Sequence, residues 1–267
     1  MSPSKRRRPL PFRSAEPPYM RPELDQIEGR NSVLECLRAS DRVKRLLVDE
    51  GARPEARLDE ILERAAERGL DVEKVPRIEL DRMADGRIHN GVIARGKPLP
   101  EVKLPALIDA VLEEPESALF LLLDEVQYEQ NLGAILRTAD AAGVKAIVVP
   151  KRRGAAVSPV VVRIAMGAAE YVPVVRLAIL EAMSMLKKAG VPLVGASEHG
   201  DVAYHQARLT GPLGLVMGGE DKGLTPPVQK KCDQLVALPM RGHVPSLNVS
   251  VSAAVLLYER LRQEETS

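Results

Sequence analysis

The sequence predicts an α/β protein: a C-terminal part built on a mostly parallel sheet, preceded by a smaller α/β module. Three observations carry this. Beyond residue 105, short apolar runs alternate with segments of helical periodicity. The runs are apolar at successive positions, not alternate ones, as in strands covered on both faces by helices. Finally, Ser158-Pro159 and Thr225-Pro226 are N-cap and N1 pairs that set helix starts between the runs.

In chain order, residues 1–22 are rich in Pro, Arg and Ser, lack any period, and read as a disordered basic tail. From Asp25 the pattern changes. Asn31 is placed to cap a helix whose stripe is Val33, Leu34 and Leu37. Val43–Val48 reads as a strand. Leu58, Ile61, Leu62 and Ala65 recur at i, i+3, i+4 and i+7, marking an amphipathic helix that ends near Gly69. Val72–Val75 and Gly91–Ala94 complete a module over residues 25–96. Lys97-Pro98-Leu99-Pro100 and Pro105 make residues 97–105 a semi-rigid linker, which predicts two domains with no common core. In the large domain, residues 106–267, the expected strands are Ala118–Leu123, Ala146–Val149, Pro192–Gly195, Gly214–Met217 and Leu235–Leu238. Helices are expected at 131–142, 159–169, 176–189 and 226–232. A last helix, to about Arg262, is apolar around most of its circumference (Val251, Ala254, Val255, Leu256, Leu257, Tyr258). Such a helix is buried on two sides, here by the sheet and a second subunit, so a homodimer is expected.

Composition narrows the function. The chain is 45% hydrophobic and 28% charged, with no apolar run long enough to span a bilayer and no apolar leader. Cys36 and Cys232 stand far apart, against a disulfide framework, and a reducing cytoplasm is the simplest compartment. Aromatics are 3% and Trp is absent, which argues against a platform that stacks single-stranded bases. Net charge is +1, yet Lys5, Arg6, Arg7, Arg8, Arg13 and Arg21 oppose only Glu16 in the tail, so the rest is net negative. Phosphates must then be held by local patches. Lys151, Arg152, Arg153 and Arg163 form one such patch or an ordinary exposed basic loop; both readings stand, as they do for the tail. His89, His199, His205 and His243 have no ligand spacing, and no metal is expected.

Three segments, each at a strand end, carry chemistry. In the first, Asn131 precedes Leu132, Ile135, Leu136 and Ala139; at about 100° per residue, Arg137 falls off that stripe. The second is Met217-Gly218-Gly219-Glu220-Asp221-Lys222-Gly223-Leu224, whose paired glycines let the backbone approach a ligand closely. It is neither a dinucleotide fingerprint nor a P-loop, which sets aside a Rossmann dehydrogenase. The third runs from Leu238 through Pro239-Met240-Arg241-Gly242-His243-Val244-Pro245-Ser246-Leu247-Asn248-Val249-Ser250 into the last helix. Capping explains one of Ser246, Asn248 and Ser250, not all three.

Together, over residues 118–262, these segments resemble the three signature motifs of the SpoU/TrmH family of RNA 2′-O-ribose methyltransferases in the SPOUT superfamily. Residues 25–96, ending His89-Asn90-Gly91-Val92-Ile93-Ala94, are similar to the family's substrate-binding domain. The resemblance implies a deep trefoil knot in the large domain, S-adenosylmethionine (SAM) as methyl donor, and structured RNA as substrate. Within the family, the group acting on a guanosine of 23S ribosomal RNA has this layout; a tRNA enzyme, an adenosine-specific resistance enzyme and a non-catalytic RNA-binding assembly factor are the alternatives. Carried over, cofactor-binding roles fall on Ser197, Gly218, Gly219, Leu238, Met240 and Leu247. Arg137 receives the central catalytic role. An arginine base is chemically awkward, so a phosphate clamp is favoured and the base is left open. Asn131 and Glu220 are expected to orient Arg137 and the ribose, and Ser246 and Asn248 to shape the loop and bond the hydroxyl or SAM. One departure is visible: Tyr128-Glu129 stands where the family has Asp-Pro.

Overall fold

The structure is a computed structural model that describes residues 25–220 and 222–266; the tail expected at 1–22 lies outside them. The described residues form two sheets. The first has the order β1-β4-β2-β3, from β1 (Asp25–Glu28), β2 (Val43–Asp49), β3 (Asp71–Val75) and β4 (Val92–Gly96). It carries helices α1 (Arg30–Ala39), α2 (Ala56–Glu67) and α3 (Arg77–Ala84). Residues 97–103 have no regular structure, and α4 (Leu104–Val111) follows.

The second sheet holds β5 (Leu119–Asp124), β6 (Ala146–Val149), β7 (Val174–Arg176), β8 (Leu193–Ala196), β9 (Val202–Ala203), β10 (Leu213–Gly218) and β11 (Gln234–Ala237). Its order is β7-β6-β5-β10-β8-β11-β9, and every pairing is parallel. Strand β5 shows why apolar runs mark such a sheet. Leu119, Leu121 and Leu123 join the core on one face, Phe120 and Leu122 the core on the other. The first face takes α5 (Glu129–Ala141) and α9 (Val249–Glu265), the second α4 and α7 (Ile179–Lys188). Helices α6 (Pro159–Ile164) and α8 (Pro226–Lys231) complete the connections. The α/β class with a parallel sheet and a smaller N-terminal sheet is thus as expected.

Several local expectations need correction. Helix α1 starts at Arg30 behind Gly29 (φ +90), so Asn31 lies inside it and caps nothing. Helix α5 starts at Glu129, two residues before Asn131; Tyr128 occupies the cap position and Glu129 puts a carboxylate in the first turn, where the helix dipole favours it. The helix expected over 159–169 stops at Ile164. Met166 and Gly167 take left-handed conformations (φ +56 and +101), and a 3-10 turn follows at Ala168–Glu170. Ser158 does cap α6, its Oγ accepting from Val161 N at 3.3 Å. Thr225 holds the N-cap position of α8 before Pro226, as expected, but its hydroxyl donates to Asp124 and not to the helix.

The largest correction concerns the expected absence of a common core. A continuous cluster includes Ile27, Val33, Leu37 and Val92 of the first sheet region together with Leu121, Val161, Ala165 and Ala168 of the second. Polar contacts cross the same junction. Ser32 Oγ donates to the Val162 carbonyl at 3.2 Å, and Arg42 Nε donates to Glu170 Oε2 at 2.9 Å. Burial, then the nearby Glu170 carboxylate, pushes the Cys36 thiol up to about 12. Proline-rich chain between two modules limits their tether; it says nothing of the faces they present to each other.

Candidate active site

Because the strands of the second sheet run parallel, β5, β8, β10 and β11 release their following loops at one edge, the edge where open α/β sheets bind ligands. Loops starting at Glu125, Ser197, Gly219 and Leu238 therefore meet there.

The glycine loop after β10 is shaped by close backbone approach. Gly219 and Gly223 exchange both backbone hydrogen bonds, at 3.2 and 3.1 Å. A Cβ on Gly218 would overlap the Gly223 and Leu224 backbone; one on Gly219 would lie 2.7 Å from the Glu125 carbonyl oxygen. Neither position has room for a side chain, so main chain is what these two residues present.

Asn131 ties the three segments together. Its Nδ2 donates to Glu220 Oε1 at 2.6 Å, and its Oδ1 accepts from Asn248 Nδ2 at 3.0 Å. Asn248 Oδ1 in turn accepts from Ser250 N at 2.8 Å and Ser250 Oγ at 2.6 Å. A carboxylate only accepts, so Glu220 sets the direction of every amide along the chain Glu220–Asn131–Asn248–Ser250. Asn131 is buried in the first turn of α5, where an unpaired amide would be costly.

Asp124 organises the same edge and escaped sequence reasoning. Its Oδ2 accepts from both the backbone N and the hydroxyl of Thr225 at 2.8 Å, pinning the start of α8 to the end of β5. The available signal was an acid closing an otherwise apolar strand.

A cavity of about 410 Å³ opens among these loops, within the size range of small-molecule sites. Ser197, Gly218, Gly219, Leu238, Met240 and Leu247 all line it, with Glu220 and Ser246. Asn131 and Asn248 stand behind it, bonded to Glu220 and to each other. Arg137 is apart: exposed on α5, absent from the lining, and without a hydrogen bond or ion pair among the described residues. Asn131 and Glu220 bond each other and do not hold Arg137, contrary to the expectation that they orient it. Of the basic patch, Lys151 and Arg152 are exposed, Arg153 pairs with Glu125 at 3.1 Å, and Arg163 is half-buried on α6. Among the described residues no helix is long and apolar enough to cross a membrane, and no cluster of His, Cys, Asp or Glu could hold a metal ion.

Comparison with known proteins gives concordant matches. The model of the SpoU rRNA Methylase family matches residues 118–258, and that of RNA 2′-O ribose methyltransferase substrate binding matches residues 26–102. The chain is 41% identical over 246 residues to the 23S rRNA (guanosine-2′-O-)-methyltransferase RlmB of Pseudomonas putida, covering 91% of this chain and 98% of that one. It is 37% identical over 240 residues to the putative TrmH family tRNA/rRNA methyltransferase YacO of Bacillus subtilis, covering 90% and 96%. Among solved structures, an RNA 2′-O ribose methyltransferase superposes with TM-score 0.77 at 30% identity, covering 91% and 90%. The SpoU methyltransferase AviRb from Streptomyces viridochromogenes, in complex with AdoMet, superposes with TM-score 0.76 at 26% identity, covering 92% of each chain.

Proposed function

The chain belongs to the SpoU rRNA methylase family, and from that premise we propose that it methylates the ribose 2′-hydroxyl of a guanosine in 23S ribosomal RNA, using SAM. The observation that carries the reading is the cavity that unites the glycine loop with Leu238, Met240 and Leu247 at the sheet edge.

The residues present suit SAM. Gly218 and Gly219 leave main chain exposed because no Cβ fits, Leu238, Met240 and Leu247 supply apolar surface, and Glu198 and Glu220 supply carboxylates. SAM contributes an activated methyl group on a sulfonium, so the protein needs only to align the acceptor and assist loss of its proton. Glu220, held by Asn131, keeps a fixed carboxylate at the cavity wall, and Asn248 and Ser250 hold the start of α9 against it. Ser246 offers a hydroxyl for the ribose or SAM. Arg137, always charged, clamps a backbone phosphate and steadies the developing charge.

Arg137 neither lines its own cavity nor bonds to Glu220, and α9 leaves Val251 and Tyr258 47% and 54% exposed, with Val244 and Leu247 uncovered nearby. This supports a homodimer in which a second copy covers α9 and completes the RNA site. A substrate within the ribosome fits a protein of the cytoplasm.

The test is mapping of 2′-O-methyl groups in unmodified 23S ribosomal RNA incubated with protein and SAM. One new methylated guanosine is expected. Folded protein that binds S-adenosylhomocysteine yet methylates tRNA alone would move the substrate; no transfer to any RNA would overturn the enzyme reading.

A further inference from the structure

Two close approaches in series connect the N-terminal sheet region to the catalytic helix. The first joins α1 to the turn after α6. A Cβ on Gly167 would overlap Glu35 Cβ, so α1 and this turn touch through glycine. Around that point Arg42 donates to the Glu170 carboxylate through both its Nε and Nη2, with side-chain exposures of 6% and 1% respectively. Ser32 bonds the Val162 carbonyl, and Tyr171 OH donates to Glu35 Oε2 at 2.7 Å. Arg42 also donates to the Lys97 carbonyl at 2.8 Å, so the segment leaving β4 is gripped by the same guanidinium. The second approach joins α6 to α5: a Cβ on Gly133 would stand 2.6 Å from Ile164 Cβ. Gly133 lies between Asn131 and Arg137 on α5.

We infer that Arg42, Glu170 and Gly167 are positioning residues for methyl transfer: they lock the RNA-holding region to α6, and α6 sets α5, so bound RNA meets Arg137 in one register. The inference rests on the reading of residues 25–96 as the RNA-holding part. A buried ion pair is costly to desolvate and gives little stability over an apolar pair; what it supplies is a single geometry, since each charge is satisfied only where the other stands. Transfer is sensitive to that geometry, because displacement by about 1 Å can cost on the order of a hundredfold in rate.

The decisive variant is Glu170→Gln in the full-length chain. It preserves volume and leaves the buried Arg42 with only the half-exposed Asp25 carboxylate, 3.7 Å away, as counter-charge. Hydrogen exchange should quicken in α1 and in residues 159–171. The kcat on 23S ribosomal RNA should fall at least about tenfold, KM for RNA should stay within about threefold, and S-adenosylhomocysteine binding should be unchanged. The double variant Arg42→Met with Glu170→Leu restores an apolar contact without charge, and should recover slow exchange together with most of kcat. Quickened exchange with wild-type kcat would overturn the inference. So would a change confined to KM, which would make the junction a contributor to RNA affinity alone, or joint loss of S-adenosylhomocysteine binding and melting temperature, which would make it generally structural. Failure of the unaltered chain to methylate any RNA would refute the proposed function instead, and the exchange data would still report on the lock.

Discussion

Arg137 and Gly219 separate two kinds of functional residue. Arg137 points away from the α5 core stripe and is exposed, so Arg137→Ala opens no cavity; surface changes of this sort cost within about 0.5 kcal/mol. Its loss belongs in the rate. Turnover should drop on the order of a hundredfold or more, as for other lost charge-stabilising donors, with melting temperature and S-adenosylhomocysteine affinity unchanged. Turnover near wild type would remove Arg137 from the mechanism. Gly219→Ala should behave in the opposite way. Its methyl meets the Glu125 carbonyl at 2.7 Å, and the loop must shift to relieve overpacking worth about 1–3 kcal/mol. Calorimetric titration should show at least a tenfold loss of S-adenosylhomocysteine affinity; unaltered binding would mean that the loop does not present its main chain to the cofactor.

At the scale of elements, helices α6 and α9 are each shaped by what lies outside their own periodicity. Helix α6 has six residues, too few to be stable alone, and relies on Ser158 as cap and on its neighbours α5 and β1. Ser158→Ala should destabilise the protein by about 1 kcal/mol, read from a denaturant midpoint; no change would show that packing alone holds the start of α6. Helix α9 buries Ala253, Leu256 and Leu257 against the sheet while Val251 and Tyr258 remain outside. Tyr258→Asp should yield a folded monomer of the 29.1 kDa chain in sedimentation equilibrium, with methylation lost. A dimer unchanged by this substitution would put the subunit contact elsewhere.

At the scale of the whole molecule, one continuous core joins the two sheets. A chain cut to begin at Pro98 would uncover the faces of α6 and of the turn at residues 168–170 that pack on β1 and α1, and strand Glu170 without Arg42. The intact protein should therefore melt in one calorimetric transition, and the shortened chain at a clearly lower temperature. Two resolved transitions in the intact chain would show that the junction is too weak to couple them.

What the sequence determined by itself was local and periodic. Fully apolar runs named the strands of the parallel sheet, Ser158-Pro159 named a helix start, and three ordered segments pointed to the family and its chemistry. Elements without such a signal passed unread. Strand β9 has two residues and β7 three, at the sheet's two ends. Helix α3, with four charged residues among eight, has too little apolar stripe to declare itself. Asn131 looked like a cap because Asn before an apolar stripe is a good local cap; its amide instead serves Glu220 and Asn248, residues 89 and 117 positions away. That choice belongs to tertiary structure. So does the junction of Arg42 with Glu170, 128 residues apart: a buried ion pair leaves no periodic trace, because its partners are chosen by which faces meet and not by their spacing along the chain.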